Sequence, residues 1–247
     1  MKHIKLDTII KLVPIPLAKA LPEIMLELSA AGITPTISTS SLTVFLLSAP
    51  HTSNLFVESI TKRTKLSYIG LDTETQVFGS RMETLKNTPS TIQVAFGCGL
   101  VGIFQVYRMC KTTSGWKPHR FPQQLSKILQ QKDCLKVGVG LSSDCKGLVA
   151  HFPVKVENIV DLDVLASSIG LPLVSLGALA YLYCSVELDK RKKMIFSSWD
   201  SSNLGTPSLM YAANDAEYSR RIYTAMVARP PIDLHVDELR AIVKRNK

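Results

Sequence analysis

The sequence has no Cys-x-x-Cys pair, no long apolar run and no arginine before Arg63. Its five cysteines are odd in number and none stands in a Cys-x-x-Cys pair, which argues against a disulfide framework or zinc ribbon and favours a reducing compartment. No apolar run approaches the ~18 residues that a membrane span needs, so no membrane partner is expected. Lysines but no arginine precede Arg63, so we expect an intracellular protein without a secretory signal.

Acidic residues are scarce. The 247 residues include 29 Lys and Arg against 20 Asp and Glu, giving a formal charge of +9 and a pI near 9.3. This surplus favours polyanionic partners such as nucleic acid or anionic lipid. With 46% hydrophobic and 20% charged residues, the chain is an ordinary folded protein, long enough for one good-sized domain plus an extension.

Two carboxylates follow an apolar run in the stretch YIGLDTETQ, from Tyr68 to Gln76. The apolar residues predict a buried strand, on which side chains two apart share a face. Asp72 and Glu74 therefore stand side by side and repel each other unless a cation lies between them; oxygen ligands of this kind suit Mg²⁺ or Mn²⁺. The alternative is a solvated strand end followed by a turn, so the choice depends on further ligands.

A second candidate lies in LKVGVGLSSDCKGL, where a β-leaning run turns into a predicted helix that carries Asp144. Ser143 occupies the place of a third glycine, so this is not a dinucleotide-binding fingerprint. Taken alone, Asp144 could also be an aspartate that stabilises a helix N-terminus. Farther along, Pro207 opens a helix on which Tyr211 and Asp215 lie four residues apart and share one face.

The remaining pattern predicts alternating strands and helices. Strands are predicted at 42–48, 91–96 and 101–106, and helices at 121–131, 160–168 and 175–184. Ser53 is predicted to cap a short helix before the central strand, and 76–90 to form a loop. An apolar stripe between Leu17 and Leu28 predicts a helix that either packs on the main domain or serves as a partner-binding or targeting helix. We expect an extension at 1–40, a domain at 41–228 and a basic tail at 229–247.

Three separated motifs, LDTET, GVGLSSD and YAAND, resemble those of the DEDD superfamily of 3′-5′ exonucleases, in the branch that carries tyrosine. Gln93 in IQVAF and Trp199 in SSWD are typical of the group that includes the exonuclease domain of the Werner syndrome protein, with ribonuclease D more distant. Met210 stands where the histidine branch would place its histidine. The resemblance covers residues 41–228.

The resemblance implies an α/β protein with a ribonuclease H-like fold, a mixed central sheet flanked by helices. It implies a metal-dependent 3′-5′ exonuclease that releases nucleoside monophosphates with two ions, Mg²⁺ or Mn²⁺, about 3.5–4 Å apart. Asp72 would bridge both ions, Glu74 and Asp215 would complete the water-activating side, Asp144 would hold the second ion and Tyr211 would orient the attacking water.

Candidate substrate-binding residues are Thr73, Lys190, Arg191, Lys192, Lys193 and Trp199. The basic run either contacts the nucleic-acid backbone or is a solvated loop, and the tryptophan either stacks on a base or packs in the core. The expected partner is a DNA or RNA 3′ end, with a helicase or DNA repair protein acting in trans. We expect a nuclear location, with a mitochondrial one as the alternative.

Two other functions stay open. One is a catalytically silent nucleic-acid-binding or scaffolding module of the same fold. The other is a ribonuclease D-like trimmer of RNA 3′ ends. Retention of all four acids and the tyrosine favours the active enzyme.

Overall fold

A mixed seven-stranded sheet forms the centre of the protein. The computed structural model describes residues 17–75, 88–171, 175–188 and 198–228. The strands are β1 (Ile37–Ser38), β2 (Thr43–Leu47), β3 (Tyr68–Thr75), β4 (Pro89–Gly97), β5 (Leu100–Phe104), β6 (Lys111–Thr112), β7 (Gly115–Trp116), β8 (Leu135–Gly138) and β9 (Ile159–Asp161). The helices are α1 (Leu17–Ala30), α2 (Pro50–Thr61), α3 (Val106–Cys110), α4 (Gln123–Gln130), α5 (Leu141–His151), α6 (Leu162–Ser168), α7 (Leu176–Cys184) and α8 (Thr206–Ala228).

The strand order in the sheet is β1-β2-β5-β4-β3-β8-β9, and β6 pairs with β7 as a separate hairpin. Strand β3 pairs in parallel with β8, and β8 with β9, whereas β4 runs antiparallel to both β3 and β5. Since β2 is parallel to β5, the carboxyl ends of β2, β3, β5, β8 and β9 meet at one edge, which we name the carboxyl edge. This arrangement confirms the predicted mixed central sheet flanked by helices.

Helices cover both faces of the sheet because the strand side chains alternate between two apolar layers. On one face, residues of α1, α2, α4 and α5 form a core with Ile69 and Leu71 of β3. On the other face, α8 packs against β2, β4 and β5 through residues such as Ala212 and Ala216. Helix α7 and the second half of α8 complete this layer over β8. The two layers fix the position of α8 across the central strands.

The first described helix belongs to this core. Leu17, Ile24 and Leu28 of α1 are buried, and Glu27 forms ion pairs with Lys62 and Arg63 beyond the end of α2. The buried side of α1 therefore packs on the domain, as the first alternative predicts, whereas Leu26 of the same helix is exposed. None of the described helices combines the length and the hydropathy that crossing a bilayer requires.

Several local predictions differ from the structure. Helix α2 begins at Pro50, and Ser53 lies buried inside it, its hydroxyl donating to the Ala49 carbonyl, so the predicted cap at Ser53 is wrong. Val160 belongs to β9 and pairs with Val137, because three strand residues are too few to show a period. The basic tail at 229–247 and most of the predicted loop at 76–90 lie outside the described residues.

Candidate active site

Two acids of the site lie on the face of β3 that contacts α8. Alternation along the strand places Gly70, Asp72 and Glu74 on this face. A β carbon on Gly70 would lie 2.0 Å from the Ala216 carbonyl oxygen, so only glycine allows the α8 backbone to approach this closely. The neighbouring residue Asp215 is thereby held beside the end of β3.

The structure brings Asp72, Glu74 and Asp215 into one cluster. Their ligand oxygens all lie within 4.8 Å of one another, and each side chain is partly exposed. Oxygen-only donors that are partly exposed suit hard divalent cations. These residues therefore fit the metal ions that the sequence predicts.

Electrostatic repulsion within the cluster is strong. Burial raises the pKa of Asp72 well above its usual value, and the charges of Asp215, Glu74 and Asp144 raise it further. Burial, followed by the charges of Asp215 and Asp144, raises the pKa of Glu74 to about 8. A divalent cation would remove this repulsion and lower both pKa values.

Asp144 approaches the strand from its other face. It lies in the first turn of α5, and its Oδ1 accepts a hydrogen bond of 3.0 Å from the Thr73 hydroxyl. Burial raises the pKa of Asp144 to about 6, although the Thr73 hydrogen bond lowers it and the charge of Asp161 raises it. Thr73, predicted to bind substrate, thus orients a predicted metal ligand.

Asp161 fixes the start of the helix that carries Asp144. Its Oδ1 accepts a 2.8 Å hydrogen bond from the Gly140 N–H, and its Oδ2 accepts one of 3.3 Å from the Ser142 N–H. Gly140 has a left-handed backbone with φ of 71°. Asp161 therefore caps α5 from the end of β9, and sequence reasoning missed it because the cap is distant in sequence. The sequence signal that could have identified Asp161 is its position directly after an apolar run, as at Asp72.

Tyr211 lies one turn before Asp215 on α8 and hydrogen-bonds to its carboxylate. Burial, the charges of the three clustered acids and this hydrogen bond raise the pKa of the Tyr211 phenol above its usual value. The phenol is therefore neutral at physiological pH and acts as a hydrogen-bond donor rather than a base.

The predicted substrate-binding residues have different outcomes. Trp199 is fully buried and lies 6.4 Å from the Tyr211 ring, centroid to centroid, in the core that also contains Leu204 and Leu209. It presents no face on which a base could stack, so a stacking role for Trp199 is wrong and its core alternative holds. The basic run 190–193 lies outside the described residues.

Gln93 lies opposite Asp72 on the neighbouring strand β4. It is fully buried, and its amide nitrogen donates a 2.6 Å hydrogen bond to the Thr91 hydroxyl. Thr91 in turn lies opposite Glu74. Gln93, which supported the motif match, thus lies beside Asp72 on the same face of the sheet.

The geometry agrees with comparisons to known proteins. The family model described as 3'-5' exonuclease matches residues 48–229, so the chain belongs to the 3'-5' exonuclease domain family. The human Exonuclease 3'-5' domain-containing protein 2 is 31% identical over 133 residues, which cover 52% of this chain and 21% of that protein. The mouse Bifunctional 3'-5' exonuclease/ATP-dependent helicase WRN is 34% identical over 105 residues, which cover 42% of this chain and 8% of that protein. The resemblance predicted from the three motifs is confirmed.

Solved structures show the same fold. The catalytic core of RRP6 from Trypanosoma brucei superposes with a TM-score of 0.63 at 16% identity over 86% of this chain and 53% of that one. Escherichia coli RNase D gives a TM-score of 0.58 at 19% identity, over 83% of this chain and 50% of that one. The ribonuclease H-like fold is thus confirmed. The matched region spans about a fifth of the first curated relatives.

Proposed function

We propose that this protein hydrolyses the terminal phosphodiester bond at a nucleic-acid 3′ end, releases nucleoside monophosphates and depends on Mg²⁺ or Mn²⁺. The observation that carries the proposal is the cluster of Asp72, Glu74 and Asp215, whose oxygens lie within 4.8 Å of one another. Membership of the 3'-5' exonuclease domain family supports it.

The acids have distinct roles in this proposal. Asp72, Glu74 and Asp215 would hold one ion, and Asp144 would hold a second together with Asp72. When bound, two divalent ions would lower the pKa of an attacking water and shield the departing sugar oxygen. We assign Asp72 to both ions because the charges of Asp215, Glu74 and Asp144 all act on its carboxylate and raise its pKa.

Tyr211 would position the attacking water. Its neutral phenol already donates a hydrogen bond to Asp215, and its oxygen retains lone pairs that can accept one from a water molecule. Because burial and neighbouring negative charge hold its pKa high, proton abstraction by Tyr211 is unfavourable. Tyr211→Phe would therefore lower the turnover rate without removing the metal site.

The test uses purified protein with 3′-labelled and 5′-labelled DNA and RNA, single-stranded and duplex, with Mg²⁺, Mn²⁺ or a chelator. We expect stepwise shortening from the 3′ end that the chelator abolishes. Asp72→Ala and Asp215→Ala should each abolish nucleotide release. Asp133→Ala is the matched control, because Asp133 pairs with Lys65 at the opposite edge of the sheet. Full activity in either site variant would refute the proposal, and strand binding without turnover would support the silent-module alternative.

A further inference from the structure

A basic surface lies at the same edge of the sheet as the acidic cluster. Between Glu83 and Asp133 the sequence contains no acidic residue, and Arg108, Lys111 and Lys117 of this stretch follow β5. We name these three side chains the basic edge. Arg108 and Lys111 are exposed and Lys117 is half-buried.

The sheet register fixes how close the basic edge lies to the metal-binding acids. Asp72 of β3 pairs with Gln93 of β4, and Gln93 pairs with Ile103 of β5. At ~4.8 Å between neighbouring strands, Ile103 lies about 10 Å from Asp72. Helix α3 follows Ile103 by three residues and carries Arg108, so the basic edge begins two strands away from the site.

Packing holds the basic edge in place. The hairpin pairs Lys111 with Trp116, and the Lys117 N–H donates a 2.7 Å hydrogen bond to the Cys110 carbonyl. The Trp116 ring lies 5.6 Å from the Tyr107 ring and 5.6 Å from Phe152. Phe152 directly follows α5, the helix that carries Asp144, so the hairpin and this ligand share one packed framework.

The cations of the basic edge are available to bind an anion. No described carboxylate forms an ion pair with any of the three. Arg108 donates to the Asp200 backbone carbonyl, and the Lys111 ammonium lies 5.3 Å from the Tyr107 ring centroid. By contrast, Lys65 at the opposite edge pairs with Asp133.

The basic edge continues into an open cleft. This cleft has a volume of about 420 Å³, and its lining includes His119, Arg120, Asn54 and Gln123. His119 and Arg120 follow Lys117 in the sequence after Pro118. A further cation, Arg120, therefore lies beyond the hairpin, where its Nε donates a 2.8 Å hydrogen bond to the Met109 carbonyl of α3.

We propose that the basic edge binds the phosphodiester backbone of the substrate strand upstream of its 3′-terminal nucleotide. This inference rests on the proposed function, because it takes the acidic cluster as the place of the terminal phosphodiester. A strand whose 3′ end lies at Asp72 can cross the carboxyl edge over β4 and β5, where Arg108, Lys111 and Lys117 neutralise successive phosphates. Sequence-independent, salt-dependent binding follows from such contacts.

The test compares two triple variants of equal charge. Arg108→Gln/Lys111→Gln/Lys117→Gln removes the basic edge, and Lys19→Gln/Lys132→Gln/Lys155→Gln removes three exposed cations elsewhere. Fluorescence anisotropy of a labelled single strand in EDTA, over a KCl series, gives the slope of log K against log salt without hydrolysis. Three lost phosphate contacts should reduce this slope by about 2, at ~0.7 per contact on single strands. The control triple should leave it unchanged.

Hydrolysis of a dinucleotide with Mg²⁺ separates this inference from the proposed function. A dinucleotide with a 5′-hydroxyl contains only the scissile phosphodiester and has no upstream phosphate for the basic edge to bind. The basic-edge triple should therefore cleave it as the parent does, while cleaving long strands more slowly at low strand concentration. An unchanged slope, or an equal reduction in the control triple, would overturn the inference. If the parent cleaves no substrate, the proposed function fails, and the EDTA measurement still decides whether the surface binds a strand. Lys111→Gln alone, with an expected change of about 0.7, serves if the triple variant unfolds.

Discussion

The α carbon of Gly70 faces the carbonyl oxygen of Ala216 so closely that any β carbon would collide with it, at 2.0 Å. This contact sets the distance between β3 and α8, and therefore the distance between Asp72 and Asp215. A residue without chemistry of its own thus determines whether two metal ligands can share an ion.

Gly70→Ala should separate the two elements and disrupt the cluster. Because the colliding atom belongs to a helix backbone, the variant should lose about 3 kcal/mol of unfolding free energy or more, at or above the upper end of the overpacking range. It should also lose stabilisation by Mg²⁺ or Mn²⁺. Thermal melts with and without metal measure both effects.

Gly205→Ala is the matched control, since a β carbon there would make an ordinary contact of 3.7 Å with Pro207. Its melting temperature should fall much less than that of Gly70→Ala, because only the preference for glycine over alanine before the first turn of α8 is lost. A Gly70→Ala protein that melts normally and still responds to metal would contradict the role of this contact.

Asp72→Asn should stabilise the metal-free protein. Burial and three neighbouring carboxylates raise the pKa of Asp72, so its ionised form opposes folding at neutral and alkaline pH. The melting temperature in EDTA should therefore rise, more at pH 8 than at pH 5, while metal-dependent stabilisation and nuclease activity disappear. Asp133→Asn, at the exposed surface, should change neither property. A lower melting temperature for Asp72→Asn in EDTA would contradict the repulsion inferred here.

Metal binding should release protons. The pKa of Glu74 is raised from 4.5 to about 8 and that of Asp144 from 3.8 to about 6. Between the lower and the higher pKa of each group, the folded metal-free protein therefore holds more protons than the unfolded chain. Its unfolding free energy should fall as pH rises through these intervals. A bound cation requires ionised ligands, so apparent metal affinity should increase from pH 6 to pH 8.

Calorimetric titration of Mg²⁺ in two buffers of different ionisation enthalpy counts the released protons. The observed heat should differ between the buffers at pH 7, and Glu74→Gln should reduce the difference. Equal heats in both buffers would show that Glu74 is already ionised at pH 7 before the metal binds.

The sequence predicts the metal-binding residues better than it predicts the residues that hold them in position. Asp72 and Glu74 are recognisable because strand alternation is a local rule, and Asp215 because it shares a helix face with Tyr211. The roles of Asp161 and Gly70 depend on which distant segments the fold brings together. The periodicity of apolar residues is local in sequence and does not indicate such contacts. Trp199 could be read either as a base-stacking residue or as a core residue, and only its burial decides between them.

Thr73 offers the most selective test of the second ligand. Its hydroxyl donates to Asp144, and this hydrogen bond lowers the pKa of the Asp144 carboxyl. Thr73→Val keeps the side-chain shape but removes the donor, so the Asp144 pKa should rise above about 6 and the acidic limb of the pH-activity profile should move to higher pH. Thr73→Ser retains a hydroxyl and should keep the parent profile. If Thr73 acted only by contacting substrate, Thr73→Val would raise KM and leave that limb in place, because the protonation of Asp144 would not change.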